Sequence, residues 1–399
     1  MSSLAKGVFI VAAKRTPFGT FGGKFTNKSA CDLLVTAMKA ALASSEVAPT
    51  MVDSVIVGNV TPSSSRDGTF MARHAQLKSG IPLEKNAYSV NRLCGSGFQS
   101  IVNGVQEIMA GQSQIVVCGG AENMTQYPFV VRNVRFGTVL GSSQEFEDSL
   151  WLGLIDSYCS LPMALTAEKL AKEYKIGRDE TDDFALRSQE LWKKAQDNGY
   201  FKEELAPVTI TVKKKEIVVD MDEHPRPETT IDKLKKLPPL FAKDGVVTAG
   251  TASGICDGAG ALILASEEAV KANCYKPLAR LVSYSVAGVE PSIMGIGPAP
   301  AIKKLLERTG LKLNDIDMIE INEAFGAQTL ACAKDLQLDI NKLNVNGGAI
   351  ALGHPLAASG SRITTHLVYE LRRRNAKYGI GSACIGGGQG IALLIESLK

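Results

Sequence analysis

This chain of 399 residues lacks paired cysteines. Eight cysteines stand at 31, 94, 118, 159, 256, 274, 332 and 384, and no two are spaced C-x-x-C. That spacing argues against a zinc ribbon or a thioredoxin-type redox motif. Histidine is scarcer: His74, His224, His354 and His366 are the only four, so any imidazole base comes from a short roster. An excess of one charge is also missing. Lys+Arg 44 stand against Asp+Glu 41 for a net charge of +3, too even a balance to argue for nucleic acid. No apolar run approaches the ~20 residues needed to span a bilayer. Neither a Walker A lysine pattern nor a complete G-x-G-x-x-G is present, which removes the fingerprint of a dinucleotide-dependent dehydrogenase.

No secretory-type segment opens the sequence, so the thiols are expected to be free, in a reducing compartment, and mostly small buried hydrophobes. Lys6, Lys14, Arg15, Lys24 and Lys28 all precede the first acidic residue, Asp32. This acid-poor bias is similar to that of a mitochondrial targeting segment, and the same stretch contains a strand pattern at Val8–Ala13. The last residues, Glu396-Ser397-Leu398-Lys399, are not a peroxisomal Ser-Lys-Leu address.

Apolar strand patterns alternate with helical ones near both ends, which implies α/β units with parallel strands. The first half predicts strands at Val8–Ala13, Ser54–Val60, Ala87–Asn91 and Ile115–Cys118, with helices at Ser29–Ala43, Met71–Ser79 and Gly97–Ala110. The second predicts strands at Ala279–Ser285, Met318–Asn322, Leu343–Asn346, Tyr378–Cys384 and Ile391–Ile395. Its helices fall at Ala299–Thr309, Ala324–Leu336 and Ser359–Arg373. A duplication accounts for the parallel order of motifs. Ser89-Val90-Asn91 precedes Cys94, a helix, a strand and Cys118-Gly119-Gly120. Asn344-Val345-Asn346 precedes His354, a helix, a strand and Cys384-Ile385-Gly386-Gly387. Two such halves face to face would bring Cys94 and His354 to one site. The expected domains are therefore 1–123, completed by about 250–275; an insert at 124–249; and 276–399. The insert is more charged and irregular, with helical patterns at Pro162–Tyr174 and Asp179–Asn198. The strand-like Ala259–Ala265 after it is expected to return to the first half's sheet.

Cys94 lies between a strand pattern and a helix start, where unpaired N–H groups and the helix dipole favour negative charge. Such a position lowers a thiol's pKa, so Cys94 is the candidate nucleophile. His354 is flanked by Gly353 and Pro355 in a segment too glycine-rich for a regular helix, and is expected at a site rather than in a core. His366 and His74 lie on helical patterns. Cys384 opens the densest glycine run, Cys384 to Gly390, which suits an oxyanion hole beside a second working thiol; a buried structural cysteine is the alternative. Asn322 and Glu323 end a strand where open α/β sheets place ligand groups. There an amide could hold a water and a carboxylate could orient a histidine, and helix capping explains the pair equally well. Arg226, in His224-Pro225-Arg226-Pro227, suits a phosphate or a purine face, or belongs to a proline-stiffened exposed loop.

Together these segments resemble the thiolase family. Cys94-Gly95-Ser96-Gly97, Asn322-Glu323-Ala324-Phe325, Gly353-His354-Pro355 and Cys384-Ile385-Gly386-Gly387-Gly388-Gln389-Gly390 stand in the family's order and spacing. The likeness runs end to end. Val131 to Gly137 and Pro291 to Pro298 are most similar to its mitochondrial degradative branch. Two positions depart: Ala357 where the family usually has Gly, and Gly326 where Ala is common.

The resemblance implies a duplicated fold, two βαβ halves in a five-layer αβαβα sandwich, and cleavage of 3-ketoacyl-CoA by CoA in fatty acid β-oxidation. It implies that Cys94 carries the acyl group, His354 takes its proton and Cys384 is the acid and base at C2. Asn322 with a water and His354 would form one oxyanion site, and the N–H groups of Cys94 and Gly386 the other. Arg226 and Thr229 would contact the nucleotide end of CoA and Ser253 its pantetheine arm. Coenzyme A is then a substrate, with acetyl-CoA as product and no metal or tightly bound cofactor. A homo-oligomer, dimer or tetramer, in the mitochondrial matrix is expected. Formation of acetoacetyl-CoA, or thioester hydrolysis, is the alternative activity. A non-enzymatic acyl-CoA carrier would have no need of all three of Cys94, His354 and Cys384, and a condensing enzyme acting on an acyl carrier protein would usually replace Cys384 with His.

Overall fold

The computed structural model describes residues 7–398, so Lys6, the first cation of the acid-poor segment, lies outside the described residues. Strands β1 (Val8–Arg15), β2 (Ser54–Gly58), β3 (Asn86–Val90), β4 (Ile115–Asn123) and β5 (Cys256–Ser266) form the first half's sheet in the order β3-β2-β4-β5-β1. Strands β6 (Ala279–Gly288), β7 (Met318–Ile321), β8 (Tyr378–Ile385) and β9 (Gln389–Ser397) follow as β7-β8-β9-β6. The two sets join where β1 and β6 pair antiparallel over Val8↔Leu281 to Ile10↔Ala279. The strand after the long insert, β5, does return to the first half, between β1 and β4.

Register fixes the duplication position by position. Gly58 pairs with Gly120, and Ile321 pairs with Ser382, both in parallel ladders. Asn59 and Asn322 follow the two second strands, so Glu122 occupies in the first half the place of Cys384 in the second. Glu122 faces Gly258 across its ladder, and Cys384 faces Gly390. The Asn91 and Asn346 segments also correspond, since Ile56 pairs with Tyr88 and Ile319 bridges Leu343. The sequence match of Cys118 to Cys384 is corrected: Cys118 pairs with Ile56, well before the strand end.

One expected strand does not form. Leu343–Asn346 makes isolated bridges rather than a ladder. Asn344 has φ 46°, and its amide bonds both Ile321 N–H (2.9 Å) and Ile321 C=O (3.0 Å), replacing the backbone partner a strand would supply. The His354 segment also contains one short helical turn, Ala349–Leu352, before Gly353.

Eight helices complete the layers: α1 (Ala30–Ser45), α2 (Met71–Lys78), α3 (Ser96–Met109), α4 (Met163–Glu173), α5 (Arg178–Asp197), α6 (Pro298–Thr309), α7 (Gly326–Leu336) and α8 (Ser359–Arg373). α1 begins at a reciprocal cap, with Ser29 Oγ accepting from Asp32 N–H and Asp32 Oδ2 from Ser29 N–H. Its Leu33, Leu34, Ala37, Met38 and Ala41 recur at helical spacing and bury against the first sheet. α1 and α2 cover that sheet's outer face, α6 and α7 lie outside the second sheet, and α3 and α8 fill the middle. Three apolar clusters occupy the gaps of this αβαβα arrangement.

The middle layer determines where the chemistry can be. A Cβ on Gly97 would stand 2.6 Å from the Ala357 carbonyl oxygen, and one on Gly360 would stand 2.2 Å from Phe98 N. The N-terminal turns of α3 and α8 therefore cross backbone on backbone, which only glycine permits at these two positions. The insert is tied to this frame by charge. Arg15, at the end of β1, is fully buried and meets Glu204 at 2.7 Å and Asp222 at 2.7 Å. That pairing pulls the Glu204 carboxyl down to about 2 against the opposing cost of burial, helped by His366 from α8. The apolar side of α4 joins the second half's core through Ala164, Ala167 and Leu170.

Replacing Gly360 with Ala should cost about 1–3 kcal/mol through overpacking against backbone that cannot rotate away. A thermal-denaturation midpoint equal to the parent's would contradict the close crossing.

Candidate active site

Cys94 lies in a single tight turn, Leu93–Gly95, immediately before α3. Leu93 has φ 46°, a left-handed value that a branched side chain seldom adopts. The turn is held by side chains: Asn91 Oδ1 accepts from Leu93 N–H at 2.9 Å, and Ser96 Oγ accepts from Arg92 N–H at 2.8 Å while donating to Leu93 C=O at 2.7 Å. Strain of this kind persists where surrounding contacts over-determine it.

The Cys94 turn packs against β8, whose last two residues are Cys384 and Ile385, and against the Leu356–Ala358 turn that follows His354. Backbone N–H groups of Gly386 and of Cys94 itself point at the Cys94 sulfur. The expectation of a depressed thiol pKa is overturned. Burial pushes Cys94 up to about 11, and these two N–H groups offset only part of that cost. The dipole argument assumed solvent around the sulfur, and desolvation of a thiolate outweighs it. Cys384 is fully buried beside Met294 and Ala324, and its thiol is pushed well above the ordinary value by burial first and by Cys94 second.

His354 is almost completely buried, and burial lowers its pKa to about 4. Its Nδ1 is 2.6 Å from Ser359 Oγ, and Ser359 Oγ donates to Pro355 C=O at 3.2 Å. When the hydroxyl proton is held on Pro355 C=O, Nδ1 carries the ring hydrogen and Nε2 the lone pair. Asn322 Nδ2 approaches that lone pair at 3.3 Å, and Asn322 Oδ1 is buried with no partner among the described residues. His354 N–H donates to Gly254 C=O at 2.9 Å, which fixes the loop's depth.

Glu323 does not orient His354. It accepts from Asn344 Nδ2 (2.8 Å), Ser188 Oγ (2.7 Å) and Ile350 N–H (3.0 Å), so it braces the segment leading to His354 from below. Of the remaining expected residues, one lines a crevice and two lie on a loop of the insert. Ser253 lines the crevice with His354, beside Met163, Trp151, Phe241 and Phe325. Arg226 is exposed, with its backbone N–H bonded to Gln189 Oε1 at 2.9 Å, and Thr229 turns its hydroxyl back to Arg226 C=O at 2.7 Å. Arg226 and Thr229 thus sit on one tight loop of the insert. Its His224 packs on Gly254 and bonds Ala351 C=O through Nδ1 at 2.8 Å.

Ser359 and Glu122 were not singled out by the sequence. Ser359 is five residues after His354 and looks like an ordinary helix start. Glu122 sits in a glycine-rich strand end whose partners come from elsewhere in the chain. Departing residue Ala357 is fully buried, with its carbonyl against Gly97 and Gly120. At Gly326 an added methyl would meet Thr181 Cγ2 at 3.0 Å, a tight but adjustable contact. Among the described residues no cluster of His, Cys, Asp or Glu is placed to hold a metal ion, and no helix is long and apolar enough to cross a membrane.

The comparisons with known proteins agree along the whole chain. The family model for the thiolase N-terminal domain matches residues 8–268, and that for the thiolase C-terminal domain matches residues 275–397. The chain is similar to human "3-ketoacyl-CoA thiolase, mitochondrial", 60% identical over 395 residues, covering 99% of each chain. It is 43% identical over 389 residues to an acetyl-CoA acetyltransferase of Shinella zoogloeoides, covering 98% of each. The crystal structure of human mitochondrial 3-ketoacyl-CoA thiolase in complex with CoA superposes with a TM-score of 0.96 at 59% identity, covering 100% of this chain and 99% of that one.

A neutral resting thiol has a spectroscopic consequence. The thiolate absorbance near 240 nm, taken as parent minus Cys94→Ser, should stay near zero through pH 8 and rise only toward the Cys94 value of about 11. A step complete by pH 8 would show that the N–H groups prevail over burial.

Proposed function

The chain belongs to the thiolase family, and from that premise we propose how its own residues carry the thiolytic cleavage of 3-ketoacyl-CoA to acetyl-CoA and a shortened acyl-CoA. The observation that carries the reading is that Cys94 lies near Cys384 and the Gly386 N–H, on a turn packed against the one that follows a neutral His354. Cys94 is a poor thiolate at rest, so its proton passes to His354 Nε2 as sulfur attacks the 3-keto carbon. The N–H groups of Cys94 and Gly386 face the sulfur and are placed to receive the oxyanion formed at that carbon. The C2–C3 bond then breaks, and the electron pair leaves with the acetyl-CoA enolate.

The Cys384 thiol delivers its proton to C2, and the resulting Cys384 thiolate takes the proton of incoming CoA. The CoA thiolate attacks the acyl-Cys94 thioester, and the released Cys94 thiolate recovers its proton from His354. The enolate oxygen is met by protonated His354 and by a water held on Asn322, whose unpaired buried Oδ1 supports that role. Arg226 and Thr229, on the loop whose His224 packs on Gly254 of the crevice, suit the nucleotide end of CoA, and Ser253 suits the pantetheine arm inside it. Coenzyme A is a substrate, and the acyl group travels on Cys94 rather than on a bound cofactor.

The names of the human, bovine and rodent relatives support a mitochondrial setting, and the matrix is its proposed compartment. A homo-oligomer, dimer or tetramer, is proposed because the insert leaves Phe136, Leu140 and Phe146 exposed and the edge strand β3 exposes Tyr88. Sedimentation should give a mass of two or four chains; a monomer at micromolar concentration would refute this.

Thiolysis of short- and medium-chain 3-ketoacyl-CoA, with and without CoA, tests the mechanism. The parent should cleave only when CoA is present. Cys94→Ala should abolish cleavage, and Cys384→Ala should lower the rate ~10²–10⁴-fold. Free acid released without CoA would point to hydrolysis instead.

A further inference from the structure

Glu122 is a fully buried carboxyl near the site that the thiolytic steps leave without a role. Its carboxylate is fully buried and accepts five hydrogen bonds: from Asn59 Nδ2 (3.2 Å), Val60 N–H (3.0 Å), Thr61 N–H (3.2 Å), Tyr127 Oη (2.9 Å) and Ala357 N–H (3.4 Å). Three donors belong to the first half, Tyr127 to the start of the insert, and the fifth to the loop that carries His354. No Lys or Arg among the described residues pairs with it. The same Ala357 presses its carbonyl onto Gly97 and Gly120, so the loop is gripped through both peptide groups of one residue. By strand register Glu122 holds the place that Cys384 holds in the second half. The duplicated fold thus offers two symmetry-related strand ends at the centre, one bearing a thiol and one a carboxyl.

We propose that Glu122 is a positioning residue: as a carboxylate it locks the Gly353–Ala358 loop to the Cys94-bearing half, aligning His354 with the Cys94 thiol. The inference rests on the thiolytic reading of that site. A carboxylate can accept from every one of these donors, whereas a protonated acid brings a hydrogen into a ring of hydrogens. Burial also raises Glu122 to about 7, within reach of physiological pH. The groups facing it are Tyr127, bonded to it, and the Cys94 thiol, whose pKa its charge raises. Arg92 turns away to Gln389 Oε1 at 2.6 Å, and Asp257 on the neighbouring strand turns to Thr125. Alignment therefore holds above about pH 7 and is lost as Glu122 takes up a proton below it.

Glu122→Gln puts a donor where only acceptors fit. It should lower kcat ~10²-fold, as expected for misplacement by about an ångström, with KM for CoA changed by less than about threefold. The parent's kcat should fall below pH 7, and this acid limb should disappear in Glu122→Gln. Glu122→Asp keeps the charge but falls one methylene short of Ala357, so it should keep the limb at reduced kcat. If Glu122→Gln does not fold, Glu122→Asp decides alone: parental kcat would overturn the proposal. A folded Glu122→Gln with parental kcat and its acid limb intact would also overturn it.

Crystal structures of the parent and Glu122→Gln read the loop without any turnover. Displacement of the Gly353–Ala358 backbone by ~1 Å supports the proposal, and superposition within ~0.5 Å sinks it. A parent that fails to cleave 3-ketoacyl-CoA while this displacement is present would instead refute the thiolytic reading and leave the positioning role standing.

Discussion

The close crossing of two helix N-termini governs this molecule. Gly97 and Gly360 let α3 and α8 touch backbone to backbone, and each helix is preceded by the loop that carries one reactive residue. Because α3 belongs to one half and α8 to the other, the contact joins the duplicated units and brings the turn that carries Cys94 against the turn that follows His354. The sheets, outer helices and insert hold that crossing in register. Arg15 is the clearest example: its buried charge is balanced only if Glu204 and Asp222 of the insert are seated, and Glu204 in turn holds His366 on α8.

Desolvation sets the electrostatics of the crevice. It pushes both thiols up and the imidazole down, so the resting site is neutral. A neutral site suits an uncharged acyl chain entering between Met163, Trp151 and Phe325, and it confines charge to the moments when a bond is forming. The N–H groups of Cys94 and Gly386 are fixed dipoles that offset part of the cost of charge at the Cys94 sulfur. Ser359 holds the imidazole in place, with its hydroxyl 2.6 Å from Nδ1.

Much of this was legible along the chain. Helix and strand positions follow from apolar spacing and lie within a few residues of the elements formed, and Cys94, His354 and Cys384 stand out by their small-residue neighbours. Leu343–Asn346 misled because an amide side chain can imitate a backbone partner, which no hydrophobic pattern reveals. The Cys118 match misled because identical residue types were aligned without knowledge of the ladder. Glu323 misled because proximity in sequence to Asn322 says nothing about the direction of a side chain at a strand end.

Reading along the chain was enough for the α/β units, their duplication and the choice of Cys94, His354 and Cys384 as candidates, since these depend on local periodicity and on chemistry that few residue types possess. The tertiary structure alone decided the protonation states, the partner of each group and the place of Glu122. Burial and hydrogen bonding bring together atoms that are hundreds of residues apart, as Glu122 and Ala357 are, and the free energy of a charge depends on that gathered surrounding rather than on its neighbours in the chain.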